Sequence, residues 1–363
     1  MTRQRYLAAI ILGAAVAACC SGATGAELHR HTSWAAAQAA AQQSGKFIFA
    51  YVYRNGHDAC VAMEENTLHN DAVVQALQGY EMLSLNGDSR QSRDFCDRYR
   101  VGTRYNEQQE KDEGRTAFAA APALLFLDGR GTEYHRTYGF YAPDVFLHIL
   151  GQVAKLIEWQ CALAQQPQDA RLHANLGRLH MEMGRTEQAR PLLKTAIELD
   201  PDNTAGARAD AELDLIILSL PDDPVMALRH LVAYQYNRPD TGRMLEIHFY
   251  MAVAQLAAGK EDQAEKILLD FAAIPPYLND DRGLANPQYG TLVERDGKMV
   301  GFWPLDDEGE VKKKVREAGE DPGKCRLSRR AINPDYRNPW TEKADLLLKQ
   351  LRDEQAKRKP AAH

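Results

Sequence analysis

Beyond its first twenty residues the sequence has no stretch long and apolar enough to cross a bilayer, which takes about 20 consecutive apolar residues. A helical channel or carrier is therefore excluded for the rest of the chain. Positive charge is not in excess either: the formal charge is −6, and −8 once Arg3 and Arg5 leave with the first eighteen residues. That leaves no basic face of the kind nucleic-acid binding needs. The short clusters Lys312–Lys314 and Lys357–Lys359 sit in polar context and read as a solvated helix face and a frayed end. Cysteine is scarce, six in 363 residues, and its wide, irregular spacing excludes a zinc ribbon. Apolar residues (45%) and charged residues (26%) are in ordinary globular proportion, so disorder along the whole length is excluded.

What is present begins at the N-terminus. Arg3 and Arg5 precede an apolar run from Tyr6 to Cys20, followed by small residues through Ala26. This is the order of a secretory signal, and it predicts export to a bacterial periplasm with residues 1–26 as the signal. Val16-Ala17-Ala18-Cys19 also resembles a bacterial lipobox, with Val16 where leucine is preferred. Cys19 would then be acylated and anchor the chain to the envelope. Ordinary cleavage after Ala23 or Ala26 is the alternative, and the sequence leaves both open. In an oxidising compartment the remaining Cys60, Cys96, Cys161 and Cys325 allow three complete disulfide pairings, none preferred by the sequence.

From Ser33 to Gln160 strands and helices alternate. Ser33–Gln43 is an Ala-rich helix, and Lys46–Tyr53 a compact apolar and aromatic run suited to a buried strand. Asn55-Gly56 turns into a helix from Asp58. Strands are expected at Tyr80–Leu85, Pro122–Leu127 and Glu133–Tyr138, with helices over Ser89–Tyr99 and Pro143–Gln160. The alternation predicts an α/β sandwich over residues 27–160.

From Pro167 the strand signal vanishes. Leu176-Gly177, His180, Gly184, Ala189, Leu193, Ala196 and Pro201 match the 34-residue tetratricopeptide pattern, with His180 where tyrosine is usual. Gly259, Ala264, Leu268 and Pro276 repeat the offsets, and Ala227 and Leu231 suggest a middle unit over residues 208–241. Ala189, Ala227 and Ala264 are 38 and 37 residues apart. An all-α array over 167–278 would offer a groove for a peptide or partner helix. The tail, 279–363, carries a hairpin signal around Arg295–Lys298 and a terminal helix over Thr341–Lys357, a segment suited to capping the last repeat.

Residues 33–155 resemble thioredoxin-like proteins, in which a strand leads into a Cys-x-x-Cys helix followed by Met-Glu. The resemblance is carried by Trp34, Lys46, Cys60, Met63, Glu64, Asp71, Val73, Asp88, Tyr99, Val101, Pro122, Asp128, Gly129 and Gly139. It implies a thioredoxin-like fold, with Pro122 as the cis-proline facing the motif. The backbone around Ala121 and Pro122 would then pair with an extended peptide. Repeats after such a domain are a familiar arrangement in exported bacterial proteins. The motif is degenerate, His57-Asp58-Ala59-Cys60, with His57 where the first cysteine belongs. That first thiol normally attacks and the second resolves. Conventional dithiol oxidoreductase chemistry is excluded here.

Three readings of the pair remain open. Cys60 is a buried remnant in a domain that binds protein partners. Alternatively, a His57 imidazolium lowers the Cys60 pKa and yields a monothiol redox or disulfide-handling centre, a role in cell redox homeostasis. Thirdly, His57 and Cys60 hold copper or zinc, with Met63 or the His29-Arg30-His31 segment adding ligands. Cys96 and Cys161 have no neighbouring base in sequence and read as structural. An insertion over residues 102–121, with charged Glu107–Glu113, separates Val101 from Pro122 and reads equally as a lid or a surface loop. The leading expectation is an exported protein-interaction factor with no resident cofactor.

Overall fold

The computed structural model describes residues 28–102, 121–239, 241–271, 289–303, 307–332 and 339–358. Residues 1–26, where a signal is expected, Cys19 among them, and nearly all of the 102–121 insertion lie outside them.

The N-terminal unit is built around one strand. β1 (Arg30–His31) precedes α1 (Trp34–Ser44), whose first turn is capped by Ser33 and which ends at Gly45 with φ +75°. β2 (Phe47–Tyr53) is followed by α2 (Asp58–Ala62), which runs on in π spacing over Met63–Leu68, and by α3 (Asp71–Leu77). β3 (Tyr80–Asn86), α4 (Arg93–Tyr99), β4 (Ala123–Leu127), β5 (Glu133–Tyr138) and α5 (Pro143–Gln165) complete it. The sheet order is β1-β3-β2-β4-β5, with β2 parallel to β3 and antiparallel to β4.

Alternation along a strand sends neighbours to opposite faces. Ile48, Ala50 and Val52 enter a core with α1 and α4. Phe49 and Tyr51 enter a second core with Met63, Leu68, Phe126, Phe146 and Val153. β2 therefore has no solvent face, which is why it reads as one apolar run. Each such large side chain contributes about 1.5–3 kcal/mol on burial.

α5 serves two layers. Its first half packs Phe146, Leu150 and Val153 under the sheet. Leu156 further along meets Leu176 and Leu179 of α6 (Ala170–Glu182). With α7 (Thr186–Leu199), α6 makes the first helical repeat, and a compact unit ends at Leu199. Gly177 lets these helices approach: a Cβ there would lie 2.7 Å from Cγ and Cδ2 of Leu193. The same unit is tied at β5, where the Arg185 guanidinium donates to Nδ1 of His135. Burial, then the charges of Arg185 and His180, push the His135 pKa down to about 3.

The second unit holds α8 (Ala207–Leu218), α9 (Pro224–Asn237), α10 (Met244–Ala257) and α11 (Glu261–Phe271). Ala227 and Ala264 are fully buried at the helix crossings, as Ala189 is in the first repeat. Buried Arg243 is held by Asp214 and Glu246, whose carboxylates replace its lost hydration. β6 (Tyr289–Arg295) and β7 (Lys298–Trp303) form the expected hairpin. α12 (Glu308–Glu317) and β8 (Arg326–Ile332) add a helix and a third strand that the sequence reading did not anticipate. Val311 and Val315 of α12 pack on Val293, leaving Lys312–Lys314 on the outer turn. α13 (Pro339–Arg358) packs Trp340, Ala344, Leu347 and Leu348 against Leu245, Phe249 and Leu268, and its Arg358 pairs with Glu261 at 2.6 Å. It covers the last repeat as a cap.

Two predictions follow from these contacts. Gly177→Ala forces overpacking against Leu193, costing about 1–3 kcal/mol, more than the 0.5–1 kcal/mol gained from alanine's helix preference. The urea midpoint should fall; an unchanged midpoint would mean the helices do not approach this closely. His135 is neutral in the fold, so below its unfolded pKa of about 6.5 the unfolded state takes up the proton first and stability falls with pH. That loss should continue toward about pH 3, and His135→Gln should flatten it in denaturant titrations run from pH 7 to 4.

Candidate functional site

The site lies where β2 ends. The chain leaves Tyr53, turns through Asn55 and Gly56 (φ +67°), and enters α2 with His57 at the N-cap. The His57 carbonyl accepts from the Cys60 and Val61 amides at 2.9 and 3.0 Å, while its imidazole makes no capping hydrogen bond. One turn on, Cys60 is 4% exposed. Its Sγ accepts from the Arg54 backbone amide at 3.4 Å, and its carbonyl accepts from the Tyr51 hydroxyl at 3.0 Å. Burial pushes the Cys60 thiol up; the Arg54 amide and the Arg54 charge oppose this, and Asp88 adds to it. The direction is opposite to the one an activated thiolate needs.

Ala121–Pro122 is cis, as the resemblance implies, and both residues are buried. β4 starts where β2 and β5 end, since Ala123 faces both Val52 and Tyr138. The Pro122 carbonyl is taken by the Gly139 amide at 2.8 Å. The Thr67 hydroxyl donates to the Tyr141 carbonyl at 2.5 Å, fastening the loop after β5 to the motif helix. This end of the sheet thus gathers His57, Pro122, Gly139 and Phe140. Val61, Phe140 and Val145 are exposed at 42–45%.

On the other flank of α2, toward β1, lies a cleft of about 440 Å³. Its floor is Tyr51, Tyr53 and Ser84, which share a sheet face, and its helical wall is Cys60, Val61, Glu64 and Glu65. Arg30 closes one side through a 2.5 Å ion pair with Glu64, and Arg54 and Asn55 line the loop. His57 and Pro122 are not among the lining residues. The sequence reading singled out Cys60 here and, through the resemblance, Glu64, but not the rest. The readable signals were the period-two placement of Tyr51 and Tyr53 and the four-residue offset of Glu64 from Cys60.

Two of the residues offered to extend His57 and Cys60 have other places. Met63 is fully buried in the core under the sheet. His31 is on β1 and bonds Glu81 at 3.0 Å, with His29 edge-on to its ring. Among the described residues no three His, Cys, Asp or Glu side chains form a group that could hold a metal ion. Cys60, Cys96, Cys161 and Cys325 are all free thiols. Cys96 is buried beside Phe95 and Tyr99, and burial raises its pKa.

A family model of the thioredoxin-like domain matches residues 34–154, and one of the tetratricopeptide repeat matches residues 160–213. The chain therefore carries a thioredoxin-like domain followed by tetratricopeptide-type helices. Among solved structures it is similar to a thioredoxin from Thermus thermophilus, at 22% identity over 35% of this chain and 88% of that one, with a TM-score of 0.28. A search of curated proteins finds no match.

The thiol geometry makes a direct prediction. Iodoacetamide should label Cys60 slowly at neutral pH, with an inflection above that of an unhindered thiol, as read by peptide mass spectrometry. Rapid labelling with an inflection below the free-cysteine value would establish an activated thiolate instead.

Proposed function

We propose that the chain is an exported protein-interaction factor whose thioredoxin-like domain binds partners without dithiol chemistry. The observation that carries this reading is the contrast at the motif end of the sheet. The single motif thiol is buried with its pKa raised, while Phe140 and Val145 on the same end stay exposed. Exposed apolar side chains beside a strand end are contacts that the side chains of an extended peptide can use for recognition. Tetratricopeptide helices support protein–protein interaction in general. Export rests on the Arg3, Arg5 and Tyr6–Cys20 pattern. Beyond it, no helix among the described residues is long and apolar enough to cross a membrane.

A phage-displayed peptide selection against the full chain tests this. Selected peptides should bind Cys60→Ser as well as the parent, and lose about tenfold or more in affinity on Phe140→Glu, the scale of one well-buried anchor. Peptides that need Cys60, or catalysed reduction of insulin disulfides, would overturn the reading in favour of monothiol redox work.

A further inference from the structure

The cleft beside Cys60 is not explained by peptide docking, because Pro122, Gly139 and Phe140 lie on the opposite flank of the motif helix and do not line it. Its volume, about 440 Å³, falls within the 300–1,000 Å³ usual for small-molecule sites.

Its charges are arranged in two poles. Glu64 is neutralised by Arg30 at 2.5 Å. Its neighbour Glu65 is exposed on the helical wall and makes no ion pair among the described residues, so it supplies an uncompensated negative pole. Arg54 pairs with Asp88 at 3.5 Å with both side chains 43% exposed, a weak surface pair whose guanidinium a ligand carboxylate can share. Beside these charges the lining is apolar and aromatic: Tyr53, stacked on Tyr51 at 5.6 Å, and the exposed Val61. Ser84 and Asn55 add neutral hydrogen-bonding groups. A simple anion would meet Glu65, and a simple cation would meet Arg54. A ligand carrying both charges on an apolar body satisfies both poles at once.

We propose that this cleft binds a small zwitterion of the α-amino-acid or dipeptide class with an aromatic or apolar side chain. The carboxylate lies toward Arg54 and Asn55, the ammonium toward Glu65, and the side chain over Tyr53 and Val61. Binding is non-covalent, and the occupant covers the approach to the Cys60 thiol.

The test is isothermal titration calorimetry of the full chain with L-phenylalanine and L-leucyl-L-phenylalanine, beside N-acetyl-L-phenylalanine and phenethylamine, which each lack one charge. At least one zwitterion should bind saturably, and each blocked analogue should bind about tenfold or more weakly. Glu65→Gln and Arg54→Gln, both at exposed positions that leave the core untouched, should each weaken the zwitterion to a similar degree. The zwitterion should also slow iodoacetamide labelling of Cys60. Two results would overturn the proposal: no heat and no protection at about 10 mM, a concentration that reveals even millimolar affinity, or equal binding of the singly charged analogues. Phe140→Glu should leave zwitterion binding intact, so failure here and failure of the peptide-docking reading are separate results.

Discussion

The burial of β2 on both faces is the constraint on which the rest of the N-terminal unit depends. Because Ile48, Ala50 and Val52 serve one core and Phe49 and Tyr51 the other, the strand cannot slip by one residue without exchanging the two sets. Its end point is thereby fixed, and with it the turn that delivers α2. The Arg54 amide reaches the Cys60 sulfur, and the Tyr51 hydroxyl reaches the Cys60 carbonyl, only because that register is held. The partners of β2 then divide the space around the motif helix. β4 brings Pro122 to one flank, and β3, with β1 beyond it, floors the cleft on the other.

Within this frame the loss of the first motif cysteine has a physical consequence beyond the missing bond. The position nearest the helix N-terminus, where the dipole best stabilises a thiolate, is occupied by His57. The remaining thiol sits a turn deeper, where desolvation outweighs the Arg54 amide and charge. A buried thiol with a raised pKa is a poor nucleophile at neutral pH but a good packing group. Its surroundings have instead become polar and shaped: an arginine on the edge strand, two glutamates on the helix and two stacked tyrosines beneath.

Much of the fold was legible because its signals are local. The β2 run, the Ser33 cap, the strand from Glu133 to Tyr138 and the small residues Gly177, Ala189, Ala227 and Ala264 each encode their role in a few neighbouring positions. What was missed depends on distant partners. β1 is two residues long and exists only through its pairing with Met82 and Leu83, so nothing local marks His31 as a strand residue with Glu81 beside it. β8 likewise becomes a strand by pairing with β6 across the hairpin and α12. The site divides the same way. Cys60 and Pro122 were visible through the motif they resemble, whereas Arg30, Ser84 and Glu65 share a cleft through topology alone.

The change of pattern near residue 160 is bridged by packing. In the structure Leu156 is fully buried by Leu176 and Leu179. A second tie, from Arg185 to His135, fastens the turn after α6 to β5, the strand that leads into Gly139 and Phe140. The first helical repeat is therefore the outer layer of the thioredoxin-like unit as well as the start of the array, and the compact body closes at Leu199. α5, which packs under the sheet, and β5, which leads into its motif end, are thereby also the elements that hold the first repeat.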